Sequence, residues 1–482
     1  MRVLEQLEPK NVLSFFEDLC AIPHGSGNTK AISDYCVKFA ESRGLEVHQD
    51  GLNNVVIVKP ATPGYEAAPT VIVQGHLDMV AEKAPDSSFN FLTDGLELVV
   101  DGDFIRAKGT TLGGDDGIAV AMALAVLDAK DLAHPRLECL FTVDEETGMD
   151  GAVGFDASVL QGKRLLNIDS EEEGILTVSC AGGAHAKANI AMTAEACTLD
   201  TAEIKISGLK GGHSGAEIDK GRANATITLG RVLQTLADEL EIRLVCAEGG
   251  QKDNVIPNGA RAVIALDTAD MARAQALCAS MQETLGKEYA VADPDVTVTF
   301  TPGPAAEHAL STHDTTRVLR FLGLYPNGIE SMSMDIPGLV QTSCNLGVFR
   351  VDDQGLKGSG SVRSSVASRK QLLLRRIQLL TEALGGTLNI SGTYPAWEYR
   401  RESHLRDVMC KVYKDQYGQD MKVEAIHAGL ECGLFCGKIP GLDAVSFGPN
   451  LYDIHTVKEH MSISSVQRVY AYLCAVLQAL KD

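Results

Sequence analysis

Residues 118–127, IAVAMALAVL, carry no polar side chain. A helix written from them is apolar on every face and must be covered on all sides. That excludes a surface helix and asks for layers of sheet and helix around it. Material for such layers lies nearby. VVIV (55–58) and VIV (71–73) are β-branched runs of the kind found in buried parallel strands. LECLFTV (137–143) and RLLNID (164–169) read as further strands. Residues 1–20 read as an amphipathic helix, and NTKAISDYCVKFAESRG (28–44) as another, capped by Asn28 or Thr29 and ended by Gly44. Strands alternating with helices up to about residue 183 predict an α/β domain with a mostly parallel sheet.

The pattern then changes. HAKANIAM (185–192), AEIKISGL (202–209), ARAVIALD (260–267) and DVTVTFTPG (295–303) alternate as strands, with helical stretches between them. MSMDIPGLVQTSCNLGVFRV (332–351), SRKQLLLRRIQLLTEALGG (368–386) and TLNISGTY (387–394) repeat that style. The first character returns with LRDVMCKVYKDQYG (405–418) and MKVEAIH (421–427). The expected organisation is an α/β domain split into 1–183 and 394–482, with an α+β insertion of two lobes at 184–393. A chain of 482 residues is long enough for this.

Composition excludes several partners. The net charge of −21 disfavours nucleic acid, whose phosphates need Lys and Arg. No apolar run approaches the roughly 20 residues of a membrane span. The N-terminus lacks the basic start and continuous apolar stretch of a signal peptide, so a cytoplasmic location is expected. Twelve cysteines without a CxxC pair read as reduced, mostly buried thiols.

Acids and histidines recur where apolar strands end. His76 and Asp78 lie two apart in VIVQGHLDMV, a spacing that suits a metal-ligating imidazole oriented by a carboxylate, or a hydrogen-bonded core histidine. Asp115 and Asp116 stand in a glycine-rich turn before the apolar helix, where a carboxylate can also serve as a cap. Asp144, Glu145 and Glu146 follow one strand, and Asp169 ends another. In an open α/β sheet such strand ends converge on one crevice. Carboxylates gathered there need cationic compensation. One histidine with several carboxylates and no nearby cysteine points to zinc, manganese or cobalt. His455, after strand LDAVSFG, is a second nitrogen donor, with His460 competing.

In this order, HLDMV, GGDDGIA, VDEETGMDGA, LLNID, GGHSG, NVIP and DIHTVKEH resemble the motifs of the M20-type metallopeptidases. The resemblance spans essentially the whole chain. GLKGGHSGAEIDKGRANA and IHAGLECGLF look most like the bacterial aminoacyl-histidine dipeptidases. It implies a zinc-peptidase α/β domain with an inserted lid and two divalent ions, zinc first, manganese or cobalt as alternatives. His76 and Asp169 would hold one ion, Glu146 and His455 the other, with Asp115 shared. Asp78 would orient His76, and Glu145 would be the general base. The Asp115–Asp116 peptide bond would be cis. In the lid, the resemblance implies that His213 stabilises the oxyanion, Asn254 contacts the substrate and Arg363 clamps its carboxylate, with Arg350 and Arg369 as alternatives. Glu431 would read the substrate's amino group or simply start a helix. The implied substrates are small free dipeptides, Xaa-His among them, handled by a monomer or homodimer. An amidohydrolase of N-acyl amino acids and a non-catalytic, metal-stabilised peptide-binding protein are the competing readings.

Overall fold

The computed structural model describes residues 2–481. They form two compact units. The first comprises 1–179, 399–425 and 430–482; the second comprises 180–398 and 426–429. The boundaries read from the sequence fall a few residues inside these. The short piece 426–429 departs from that reading. It joins the second unit because Ala181 N–H donates to the carbonyls of Ile426 and Ala428, at 3.2 and 3.0 Å. His427 Nε2 also sits 2.7 Å from Ser343 Oγ.

The first unit is built on an eight-stranded sheet. Its middle strands, in spatial order, are Leu137–Thr142, Val71–His76, Arg164–Asn167 and Asp443–Ser446, all mutually parallel. Their carboxyl ends share one edge. Asp443–Ser446 comes from late in the chain, yet it lies between Arg164–Asn167 and Ile175–Cys180. Outside this group the direction changes. Val55–Lys59 is antiparallel to both Leu137–Thr142 and Glu46–Gln49, which corrects its reading as a parallel strand. Four of its five residues are buried, so both of its faces are apolar whichever way it runs.

The helix Gly114–Asp128 has every residue from Gly114 to Leu127 buried. It meets the sheet where Val71–His76 carries Gly75; a Cβ there would stand 2.7 Å from Ala119 Cβ and 2.5 Å from Asp116 Oδ2. On another side lies the helix Lys10–Cys20, whose Phe16 ring fills the space beside Gly117. That first helix begins only at Lys10, after Pro9, rather than running from residue 1. Proline at the cap lacks the N–H that an upstream turn would need. Among the described residues no helix is long and apolar enough to cross a membrane.

The second unit carries an antiparallel sheet of nine strands. Two sets of elements repeat one order. One set is Asp200–Ser207, helix Ala225–Ala237, hairpin Arg243–Gly249/Ala260–Leu266, helix Met271–Glu288 and strand Thr297–Gly303. The other is Gly182–Ile190, helix Thr312–Leu324, hairpin Val340–Asp352/Gly355–Ser364, helix Ala367–Ala383 and strand Thr387–Tyr394. Spatially the sets mirror each other about the pairing of Arg243–Gly249 with Val340–Asp352. All four helices pack on one face, through Leu229, Leu285, Phe321 and Ile377 among others. The insertion is therefore two-lobed.

Asn224 ties the lobes together. Its Oδ1 accepts from Thr226 and Ile227 N–H at 3.0 and 3.2 Å, capping a helix of one lobe. Its Nδ2 reaches Asn345 Oδ1 at 3.1 Å and Leu346 O at 3.0 Å in the other. Asn224→Ala removes the cap and strands buried acceptors. It is expected to cost about 2–3 kcal/mol in urea unfolding; a loss below the error of that measurement would show that the node carries no weight.

Candidate active site

Three neighbouring parallel strands deliver the acids and the first histidine. His76 ends Val71–His76, Asp144–Glu146 follow Leu137–Thr142, and Asp169 lies just past Arg164–Asn167. The N-terminus of Gly114–Asp128 brings Asp115 and Asp116, joined by a cis peptide bond. His455 arrives on a late loop with a left-handed φ of 63°.

Asp115 stands at the middle. Its Oδ1 is 3.3 Å from His76 Nε2, and its Oδ2 is 3.1 Å from His455 Nε2. Asp169 Oδ1 approaches His76 Nε2 at 3.8 Å, and Glu146 Oε1 approaches His455 Nε2 at 3.0 Å. Three overlapping groups bring ligand-capable atoms within 4.8 Å of one another: His76 with Asp116 and Asp169, His76 with Glu145 and Glu146, and Asp115 with Glu146 and His455. Asp116 is engaged elsewhere, since its Oδ2 accepts the His76 N–H at 3.1 Å.

The supports are as specific as the ligands. Asp78 lies with Oδ1 3.4 Å from His76 Nδ1, and Oδ1 also accepts the Glu145 N–H at 3.1 Å. Its Oδ2 accepts from Ser26 Oγ at 2.8 Å. The Asp78 main-chain carbonyl, 3.0 Å from His76 Nδ1, steadies the imidazole, while the Asp78 carboxylate holds the turn bearing both glutamates. Asp144 turns away and accepts the Gly27 N–H at 2.6 Å. His460 is not part of the group: it pairs with Arg106 in a strand and stacks on Tyr452 at 4.9 Å.

Electrostatics set the character of the cluster. Burial pushes the Glu145 carboxyl up to about 8, with Glu431, Glu146 and Asp115 adding to the rise. Asp169 is raised by burial and by Asp116. His455 is raised to about 10 by its hydrogen bonds to Asp115 and Glu146. Burial works against the ionised Asp115, yet His455 and His76 outweigh it and hold the group below the ordinary carboxylate range. Buried Asp169 Oδ2 has no hydrogen-bond partner. Two imidazoles, three carboxylates and an unsatisfied acceptor fit a divalent-cation donor set.

Glu431 does not face an open space. It is fully buried, with Oε2 taking hydrogen bonds from Gln74 Nε2 (2.6 Å) and Thr142 Oγ1 (2.8 Å). Gln74 in turn receives Asn167 Nδ2 at 2.6 Å. This network ties together the three strands that carry the acids, a support that the sequence reading missed. Glu459 was missed as well. It is buried, and its carboxylate accepts backbone N–H groups from Leu112 to Asp115. Its only trace in the sequence is its place four residues after His455.

In the second unit, His213, Arg363 and His427 converge on Gly215, where a Cβ would meet His427 O at 2.7 Å, His213 Cε1 at 3.0 Å and Arg363 Nε at 3.1 Å. His213 Nδ1 accepts N–H groups from Gly215 and Ala216 at 3.3 and 3.0 Å, which leaves the proton on Nε2. Burial and the Arg363 charge hold His213 below the ordinary imidazole value, and they push His427 down to about 4. Arg363 is only 9% exposed. It donates to Tyr394 Oη at 3.2 Å, while its Nε has no partner. It meets no carboxylate among the described residues, whereas Arg350 pairs with Glu248 at the surface and Arg369 is exposed. Asn254 adjoins this group through its backbone, where Ser214 N–H donates to its carbonyl at 2.9 Å.

Cations entering the first cluster compete with protons, because His455, His76 and Asp169 are all shifted upward and favour their protonated forms. Protonated ligands oppose binding, so affinity should rise with pH. Calorimetric titration of metal-free protein with zinc at about pH 6 and about pH 8 should show proton release and tighter binding at the higher pH; equal affinity with no proton release would contradict these protonation states.

The model of peptidase family M20/M25/M40 matches residues 72–479. The cytosol non-specific dipeptidase of Escherichia coli (strain K12) is 36% identical over 482 residues, covering 100% of this chain and 99% of the relative. The crystal structure of aminoacylhistidine dipeptidase from Vibrio alginolyticus superposes with a TM-score of 0.95 at 36% identity, covering 99% of this chain and 98% of that one. An aminopeptidase of Bacillus cereus shares the fold at a TM-score of 0.57 and 15% identity, over 99% of this chain and 100% of its own. Matched over most of its length, the chain belongs to peptidase family M20/M25/M40.

Proposed function

We propose that the protein is a metal-dependent dipeptidase that hydrolyses small free dipeptides, Xaa-His among them. The observation that carries this reading is Asp115, whose two oxygens face His76 on one side and His455 on the other. A carboxylate so placed is suited to be shared between two ions. His76 and Asp169 would hold one, and Glu146 and His455 the other. Two divalent cations supply Lewis-acid polarisation of the scissile carbonyl and a water acidic enough to lose its proton near neutrality. Zinc is the metal of choice for this donor set, with manganese and cobalt as substitutes.

The chain's own groups do the rest. Glu145 takes the proton of the attacking water and passes it to the departing amine. Its backbone N–H is held by Asp78, so the base and the His76 ligand share one anchor. His213, whose Nδ1 accepts backbone N–H groups and whose Nε2 is left to donate, would be the donor for the oxyanion of the tetrahedral intermediate. Arg363 is a buried cation without an anion, a costly arrangement that a substrate carboxylate would relieve. Asn254 adds a contact to the same end of the substrate. Similarity to dipeptidases over the full length supports this substrate class. The named location of the E. coli relative favours the cytoplasm.

A panel of free dipeptides against acetylated amino acids, with defined metals, tests the reading. Free dipeptides including Gly-His should be cleaved; cleavage of acetylated amino acids alone would turn the assignment to an amidohydrolase. Glu145→Ala should keep its metal while turnover falls by about 10²–10⁴-fold, and unchanged turnover would remove Glu145 as the base. Arg363→Ala should raise KM for free dipeptides about 10–100-fold, the value of a charge-assisted pair. Dipeptide amides, lacking the carboxylate, should be indifferent to that change; an equal loss on both would deny Arg363 the carboxylate.

A further inference from the structure

We propose that Glu459 is a positioning residue for Asp115, and that the segment 455–459 grips the shared ligand at two points. The inference rests on the reading of Asp115 as the ligand common to both ions.

Glu459 is 3% exposed, and its carboxylate is spent entirely on backbone. Oε2 accepts the N–H groups of Leu112 and Gly113 at 2.7 and 3.2 Å. Oε1 accepts those of Gly114 and Asp115 at 2.9 and 3.4 Å. Consecutive N–H groups pointing inward form a nest that suits an anion. Here an acid of the same chain, about 340 residues away, supplies it.

Local capping is not available to this helix. Its cap position is Gly113, in the left-handed region at φ 66°, with no side-chain hydrogen bond. A larger residue would not fit, since a Cβ on Gly113 would stand 2.9 Å from Met79 Sδ and 3.3 Å from His24 Nε2. The orphan donors of the first turn therefore need a partner from elsewhere.

His455 and Glu459 lie on one tight loop. Glu459 N–H donates to Thr456 O at 3.1 Å, Lys458 N–H donates to Thr456 Oγ1 at 3.1 Å, and Thr456 Oγ1 donates to Asp453 O at 2.7 Å. From this loop His455 reaches the Asp115 side chain while Glu459 holds the Asp115 main chain. The rotation of Asp115 about its own backbone is thereby fixed before any ion arrives. A shift of Glu459 would swing the shared carboxylate away from one or both imidazoles.

The test uses full-length, metal-depleted protein. Zinc affinity is measured against a chromophoric chelator, and the visible spectrum of the cobalt-substituted form is recorded. Glu459→Ala should weaken zinc binding about 10–100-fold, as loss of a ligand's supporting hydrogen bonds does. It should also change the cobalt absorption and lower kcat for dipeptides with little change in KM. Glu459→Gln, which keeps an acceptor oxygen and the shape, should fall between the two and serves if the alanine variant does not fold. A folded Glu459→Gln with wild-type zinc affinity and cobalt spectrum would overturn the proposal, even if its thermal midpoint had fallen. Asp115→Asn provides the separate check: if it binds both ions as tightly as wild type, the shared-ligand reading fails, independently of Glu459.

Discussion

Negative charge confined at the ends of buried strands is the constraint around which the first unit is organised. Asp115, Asp116 and Asp169 are buried, Glu145 and Glu146 are partly so, and among the described residues His76 and His455 oppose them directly. Left alone, such a group keeps protons it would lose in water, which is why Glu145 and Asp169 stand high. The neighbouring polar groups are arranged to hold the acids where they are rather than to neutralise them. Asp78 and Glu459 fix backbone N–H groups, Gln74 and Thr142 hold the Glu431 carboxylate, and none brings a positive charge. Compensation is thus left to whatever cation binds.

The second unit poses the opposite problem. Arg363 is enclosed with a tyrosine hydroxyl and two imidazoles whose values it lowers, and among the described residues no acid pairs with it. A ligand carboxylate reaching Arg363 would relieve that enclosed charge.

What could be read from the sequence followed periodicity and strand ends. His76 with Asp78, the acids after LECLFTV and LLNID, and the all-apolar helix were visible because each marks a change from buried to polar at a fixed spacing. Strand direction was not: Val55–Lys59 shows the same apolar run whether parallel or antiparallel. Nor were roles that depend on backbone partners. Glu459 looks like any acid beside a histidine, because its four donors are backbone N–H groups, which no side-chain pattern reveals. Glu431 was legible as a helix-start acid, but its burial against Gln74 and Thr142 depends on tertiary packing. The return of 426–429 to the second unit rests on two main-chain hydrogen bonds that no residue pattern announces.

Insertion of Asp443–Ser446 between Arg164–Asn167 and Ile175–Cys180 bears on how the molecule comes into being. During synthesis the early strands emerge first, but the sheet keeps a gap beside Arg164–Asn167 until the whole of the second unit has been made. The half-built sheet would expose unpaired edges and apolar surface, the usual seeds of aggregation. His455 emerges later still, just behind the strand that fills the gap. The nascent chain therefore cannot bring His455 against Asp115 until the strand that fills the gap has been made.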